Sequence, residues 1–139
     1  MFVAGVGIPV MASLNGSLGV KLGSPALATT IAFTVGGLAS LAYLLLSGGM
    51  PKASAMPPIS ISLYLGGLLV ALYILSITWV GPKFGIGNAI SLVLLGQLIS
   101  MAVIDHFGLL GAPLNSISIQ RAGGLIFMAV GVYLTVNRL

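Results

Sequence analysis

Cysteine is absent from the chain, and acidic side chains nearly so: Asp105 stands alone against five lysines and arginines. Without cysteine there is no disulfide framework, no thiolate metal site and no cysteine nucleophile. One carboxylate and one histidine, Asp105 and its neighbour His106, cannot make a metal-ligating cluster or a carboxylate pair for acid–base work. Their adjacency also argues against Ser/His/Asp catalysis, which needs the acid to orient the imidazole from a separate position. Gly5, Gly7 and the glycine doublets lie in apolar runs, without the strand context that a phosphate-binding loop requires. We therefore expect no enzyme, no metal and no cofactor. Charge itself is scarce at 4% of residues, against about 25% in soluble domains, too little to coat a water-facing surface.

Apolar sequence fills the place of charge. The chain is 58% hydrophobic with a mean hydropathy of +1.21. Its apolar runs are continuous, whereas a transmembrane barrel would alternate in polarity over segments of about ten residues. Residues 59–105 organise the whole: two long apolar runs are separated by GPKFGIGN, with Gly81, Pro82, Gly85, Gly87 and the lone charge Lys83. At about 1.5 Å per helical residue each run can cross a hydrocarbon core of about 30 Å. The pair is expected to form a transmembrane helical hairpin. Taken along the chain, the runs predict five transmembrane helices at 2–18, 26–46, 59–80, 87–105 and 121–137, an all-α polytopic membrane protein with residues 1–139 as a single transmembrane domain.

The first run begins without a basic leader or an A-x-A-like cleavage site, so it is expected to stay as a helix. Pro9 should kink it or free a backbone carbonyl. Residues 19–25 combine a glycine stop with a Ser24–Pro25 restart. Ala32, Gly36 and Ser40 form a small-residue stripe on the second run; Gly67 with Ala71, and Gly123, Gly124 and Gly131, repeat the theme. Residues 47–58, rich in glycine and proline, read as the one real loop.

The five cations are scattered singly at run ends, which marks interface anchors and not a nucleic-acid patch. Five crossings place the termini on opposite sides. One side then collects Lys52 and Arg121, the other Lys21, Lys83 and Arg138. So small a bias permits insertion in either orientation and an antiparallel homodimer of ten helices with inverted-repeat symmetry.

Polar groups deep in lipid are the candidate substrate contacts, because an unsatisfied amide there costs several kcal/mol. Asn15 can line a cavity, or bridge helices or cap the first one. Gln97, near mid-bilayer with Ser100 three residues on and Gly96 beside it, is read as lining the pathway in preference to joining helices. Tyr73 and Ser76 can share a face of the third helix. Trp79 sits at interface depth and suits a belt anchor better than a stacking platform. Asp105 and His106 are coupling candidates, since a lone acid in a membrane can carry a proton. Successive residues point to different helix faces, however. An end-capping role paired with Lys52 or Arg121 fits them better.

Several stretches are similar to a known family: IPVMASLNGSLGVKLGSPALATTIAFTVGG, LYLGGLLVALYILSITWVGPKFGIGNAI and GQLISMAVIDHFGLLGAP. Together they resemble the YdcZ-like family of the drug/metabolite transporter superfamily, over nearly the whole chain. That resemblance implies an inner-membrane carrier built from four- or five-helix halves, fused or paired in antiparallel fashion. It supplies no substrate. Small multidrug resistance carriers of the same superfamily use a carboxylate in the first helix, and this first helix has none, which weighs against proton antiport of drug cations. The expectation is a homodimeric transporter that moves a small neutral or zwitterionic organic solute by alternating access, in contact with membrane lipid. The alternative is a non-transporting interaction subunit or a small pore.

Overall fold

The structure, a computed structural model, describes residues 1–49 and 59–136. Lys52, Arg138, the end of the fifth predicted run and most of the 47–58 loop lie outside those residues. Five helices follow in order: α1 (Phe2–Leu22), α2 (Pro25–Leu46), α3 (Leu65–Phe84), α4 (Ile86–Phe107) and α5 (Ile119–Val136). Short 3₁₀ turns at Ile61–Tyr64 and Leu109–Gly111 precede α3 and follow α4. All five helices are long and apolar enough to cross a membrane, counting the first turn with α3 as Ile61–Phe84. The fold is all-α across the described residues, as the continuous apolar runs require.

Two of the predicted ends move. The first helix runs on to Leu22, because Gly23 and not Gly19 takes the left-handed conformation (φ 63°) that ends it. The N–H of Ser24 donates to the Gly19 carbonyl at 3.1 Å and that of Gly23 to the Val20 carbonyl at 3.2 Å, a Schellman motif. The restart at Ser24 follows expectation: its hydroxyl accepts from the Leu27 N–H at 3.2 Å, and Pro25 opens α2. The third helix carries on through Gly81 and Pro82 to Phe84. Proline disfavours a helical residue before it by clashing with that residue's Cβ, and Gly81 has none. The break falls instead on Gly85, whose φ of 93° belongs to glycine. Asn88 then folds back, its Nδ2 donating to the Phe84 carbonyl at 3.1 Å. Pro9 likewise sits inside an unbroken α1.

The described chain forms two compact units, Met1–Lys83 and Phe84–Leu139. In each, most buried residues are small and most large apolar side chains lie outside, Ile77 and Val132 being the large ones inside. Unit one buries Ala12, Gly16, Gly19, Ala28 and Gly81, while Phe33, Leu41, Leu68 and Leu72 face outward. Unit two buries Ala89, Ala102 and Val132 and exposes Ile99, Ile126 and Phe127. This inverts the order of a soluble domain. In a bilayer, lipid tails solvate Leu and Phe as well as a protein core does. Close backbone contact between small residues is then what holds helices together.

Candidate functional site

Gly19 marks the junction of α1, α2 and α3. A Cβ built on it would lie 3.1 Å from Thr78 Cγ2, 3.4 Å from the Pro25 Cα and 3.7 Å from Ala28 Cβ. One turn earlier, a Cβ at Gly16 would lie 3.1 Å from Pro82 Cγ. Two glycines of α1 thus let α3 come within contact of its backbone. By contrast, a Cβ at Gly36, Gly67, Gly123, Gly124 or Gly131 would meet nothing within 4 Å. The stripes read from the sequence are uncovered, and the glycines that make the contact stood in a stretch read as a helix end. The i, i+3 spacing of Gly16 and Gly19 was the signal available for them.

At this junction Thr78 on α3, and Thr29 next to Ala28 on α2, have hydroxyls that are buried and bonded to nothing, and so does Tyr73, five residues before Thr78 on α3. Thr78 is 1% exposed and Thr29 7%. Elsewhere, exposed hydroxyls of Thr30, Thr34, Ser91 and Thr135 bond the carbonyl four residues back, the usual way a helix absorbs such a group in lipid. Leaving a buried hydroxyl unpaired costs about 1–3 kcal/mol. Pro82 adds to the local polarity, since it has no N–H for the Thr78 carbonyl. Two grooves reach this region. One of about 490 Å³ runs between α2 and α3 and is lined by Thr29, Thr30, Phe33, Ala71, Leu72 and Leu75 among others. A second of about 320 Å³ lies at the α1–α2 turn, with Thr78, Trp79 and Lys83 in its wall.

The sequence-predicted residues fall as follows. Tyr73 is half-buried, with its hydroxyl sealed, whereas Ser76 is exposed; the buried face of α3 continues through Ile77, Thr78 and Gly81 instead. Asn15 lies in the interior of α1, half-buried, and its Nδ2 donates to the Met11 sulfur at 3.3 Å, a weak acceptor. With α1 ending at Leu22, Asn15 does not cap it. Gln97 and Ser100 are both exposed, on a side of α4 that α5 leaves uncovered. Trp79 is exposed too, and the Lys83 ammonium rests over its ring 4.6 Å from the centroid, the arrangement of an interface anchor.

Asp105 and His106 tie the end of α4 to the start of α5. Arg121 Nη2 donates to Asp105 Oδ2 at 2.7 Å, with the two side chains 31% and 25% exposed. The Asp105 carbonyl accepts from the Asn115 N–H at 2.8 Å, and His106 Nδ1 accepts from the Ile117 N–H at 3.2 Å. Both residues are engaged in holding a strap. Among the described residues no group of three or more His, Cys, Asp or Glu could hold a metal ion.

Five membrane-length helices with a small-residue interior and an apolar exterior define a multi-pass membrane protein. Across residues 1–134 the chain matches the model of a family described as "putative inner membrane exporter, YdcZ", and it belongs to that family. This makes it an inner-membrane protein of a transporter family, not of an enzyme family. No curated protein and no solved structure matches it.

Proposed function

We propose that the chain exports a small neutral or zwitterionic organic solute by alternating access, as one five-helix transmembrane domain of an antiparallel homodimer. The observation that carries this reading is the set of buried, unpaired hydroxyls of Thr29, Tyr73 and Thr78. In lipid no water stands by to satisfy them, so a solute with its own donors and acceptors is the partner they lack. Charge points the same way. The one ion pair among the described residues joins helix ends, at Asp105 and Arg121, and a permanently charged solute would find no counter-ion among the three hydroxyls. Within unit one the half-buried Asn15 extends the uncharged polar set, and unit two carries uncharged polar groups of its own in Gln97 and Ser100. Ser76 and Trp79 stand nearer its edge, and Asp105 and His106 serve as structural ties in preference to proton carriers.

The exposed face of α4 that carries Gln97 is the natural surface for a second copy to complete the path. Pro9, Gly36, Gly67 and the Gly81–Pro82 pair supply bend points for the exchange of access. The test is Gln97→Leu in reconstituted vesicles. A carrier keeps its helicity and its oligomeric state and loses most of its flux of whichever solute the wild type moves. An interaction subunit or small pore would lose assembly instead, and its retention of flux would overturn the proposal.

A further inference from the structure

We propose that the groove between the α1–α2 turn and the end of α3 binds the phosphodiester headgroup of an anionic phospholipid. The groove has a volume of about 320 Å³, and its wall includes Gly19, Gly23, Pro25, Thr78, Trp79 and Lys83. Three independent features give it the chemistry of an anion site. The first is an unanswered cation. Lys83 stands in the last turn of α3, and the chain has a single acidic side chain, Asp105, already bonded to Arg121 at 2.7 Å. No carboxylate side chain is left to neutralise Lys83, so its counter-ion comes from outside the chain. The indole of Trp79 holds the ammonium 4.6 Å from its ring centroid and fixes it beside the groove.

The second feature is Thr78, which lines the same groove, is 1% exposed and has a hydroxyl with no partner. That oxygen is covered in the structure, so it donates to a phosphate oxygen once the headgroup parts the groove wall. The third is position. The groove opens at the carboxyl end of α1 and the amino end of α2, where Ser24 and Pro25 begin the helix. Helix amino ends favour anions, and Gly19 and Gly23 keep this wall free of side chains. A lysine and a tryptophan together at a helix end mark the depth of lipid headgroups. A phospholipid supplies an anion at that depth, with its acyl chains continuing along the apolar exterior. The site shares Thr78 with the solute reading above but is carried by Lys83 and Trp79, which that reading does not need, so it would stand if the transported solute proved to be charged.

Trp79 is the chain's sole tryptophan, so its fluorescence reports the groove directly. The full chain is reconstituted in phosphatidylcholine vesicles that contain a graded fraction of either dibrominated phosphatidylglycerol or dibrominated phosphatidylcholine, whose bromines quench indole on contact. The anionic lipid should reach half-maximal quenching at a mole fraction about fivefold lower than the neutral one, the scale of one basic residue acting at a lipid surface. Lys83→Gln should bring the two curves together, and Lys83→Arg should restore their separation. Lys21→Gln, which removes a cation in the last turn of α1 that does not line the groove, should leave them apart. Coincident curves in the wild type would overturn the assignment, as would a preference that survives Lys83→Gln or equal losses in the two glutamine variants. Loss of the preference on adding millimolar inorganic phosphate would overturn the lipid as occupant and point to a soluble anion.

Discussion

A missing methyl group decides more at Gly19 than any charge does. Because a Cβ there would press on Thr78 at 3.1 Å and on the Pro25 backbone at 3.4 Å, Gly19→Ala should destabilise unit one by about 1–3 kcal/mol, the usual penalty for overpacking. Gly7→Ala, where a Cβ meets nothing within 4 Å, should be neutral or gain up to about 1 kcal/mol from helix propensity. Thermal denaturation in detergent distinguishes the two, and equal effects would contradict the packing described. At the other end of the chain, Asp105→Asn removes a partly exposed ion pair. It should lower stability by no more than about 1 kcal/mol and leave most transport intact, measured as flux relative to wild type. Abolished flux in a folded Asp105→Asn protein would return the proton-carrying role to that residue.

Among the helices, the links carry as much information as the spans. Gly85 alone separates α3 from α4, at φ 93°. Gly85→Ala should therefore cost about 1–3 kcal/mol through backbone strain, visible as a lower unfolding temperature, whereas Gly87→Ala, inside α4 and clear of contacts, should cost nothing. Spans and links differed in how plainly they could be read. The spans were legible because hydropathy over twenty residues depends on composition, and lipid imposes no finer pattern. The Ser24–Pro25 start was legible because a capping hydroxyl and a proline at the first helical position act locally. Helix ends were less so. Gly19 and Gly23 carry the same side chain, and only the tertiary contact of Gly19 with α3 tells the stopper from the packer. Gly81 looked like part of a break, yet α3 runs on through Pro82, a passage that its missing Cβ eases and that α1 makes at Pro9 even behind Ile8. The site was legible only in part. Tyr73 could be picked out as an aromatic hydroxyl in an apolar run. Thr29 and Thr78 could not, since threonines in membrane helices ordinarily bond their own backbone and only three-dimensional placement leaves these two unpaired.

On the scale of the whole molecule, the inside-out distribution of volume says what surrounds the protein, and the cation distribution bears on how it inserts. With Lys21, Lys83 and Arg138 set against Lys52 and Arg121, the bias that fixes orientation is slight. Under the proposed antiparallel pairing, compartment-sensitive reporters at both termini should each give signal on both sides of the membrane. Adding two lysines beside Lys21 should drive the population to one orientation and reduce transport at least severalfold. A wild type that faces one way only would contradict that arrangement, though not the uncharged site inside it.

An uncharged solute site shows itself in the unfolding temperature of the protein with and without ligand. Purified protein screened against small neutral, zwitterionic and cationic solutes should find a neutral or zwitterionic one that raises the unfolding temperature, because a ligand of the folded state stabilises it by mass action. Tyr73→Phe and Thr78→Val should unfold at or above the wild-type temperature, having lost an unpaired buried hydroxyl, and should no longer respond to that solute. A solute whose effect survives in Tyr73→Phe, Thr78→Val and Thr29→Val alike, or a screen in which only cations stabilise the wild type, would contradict the account.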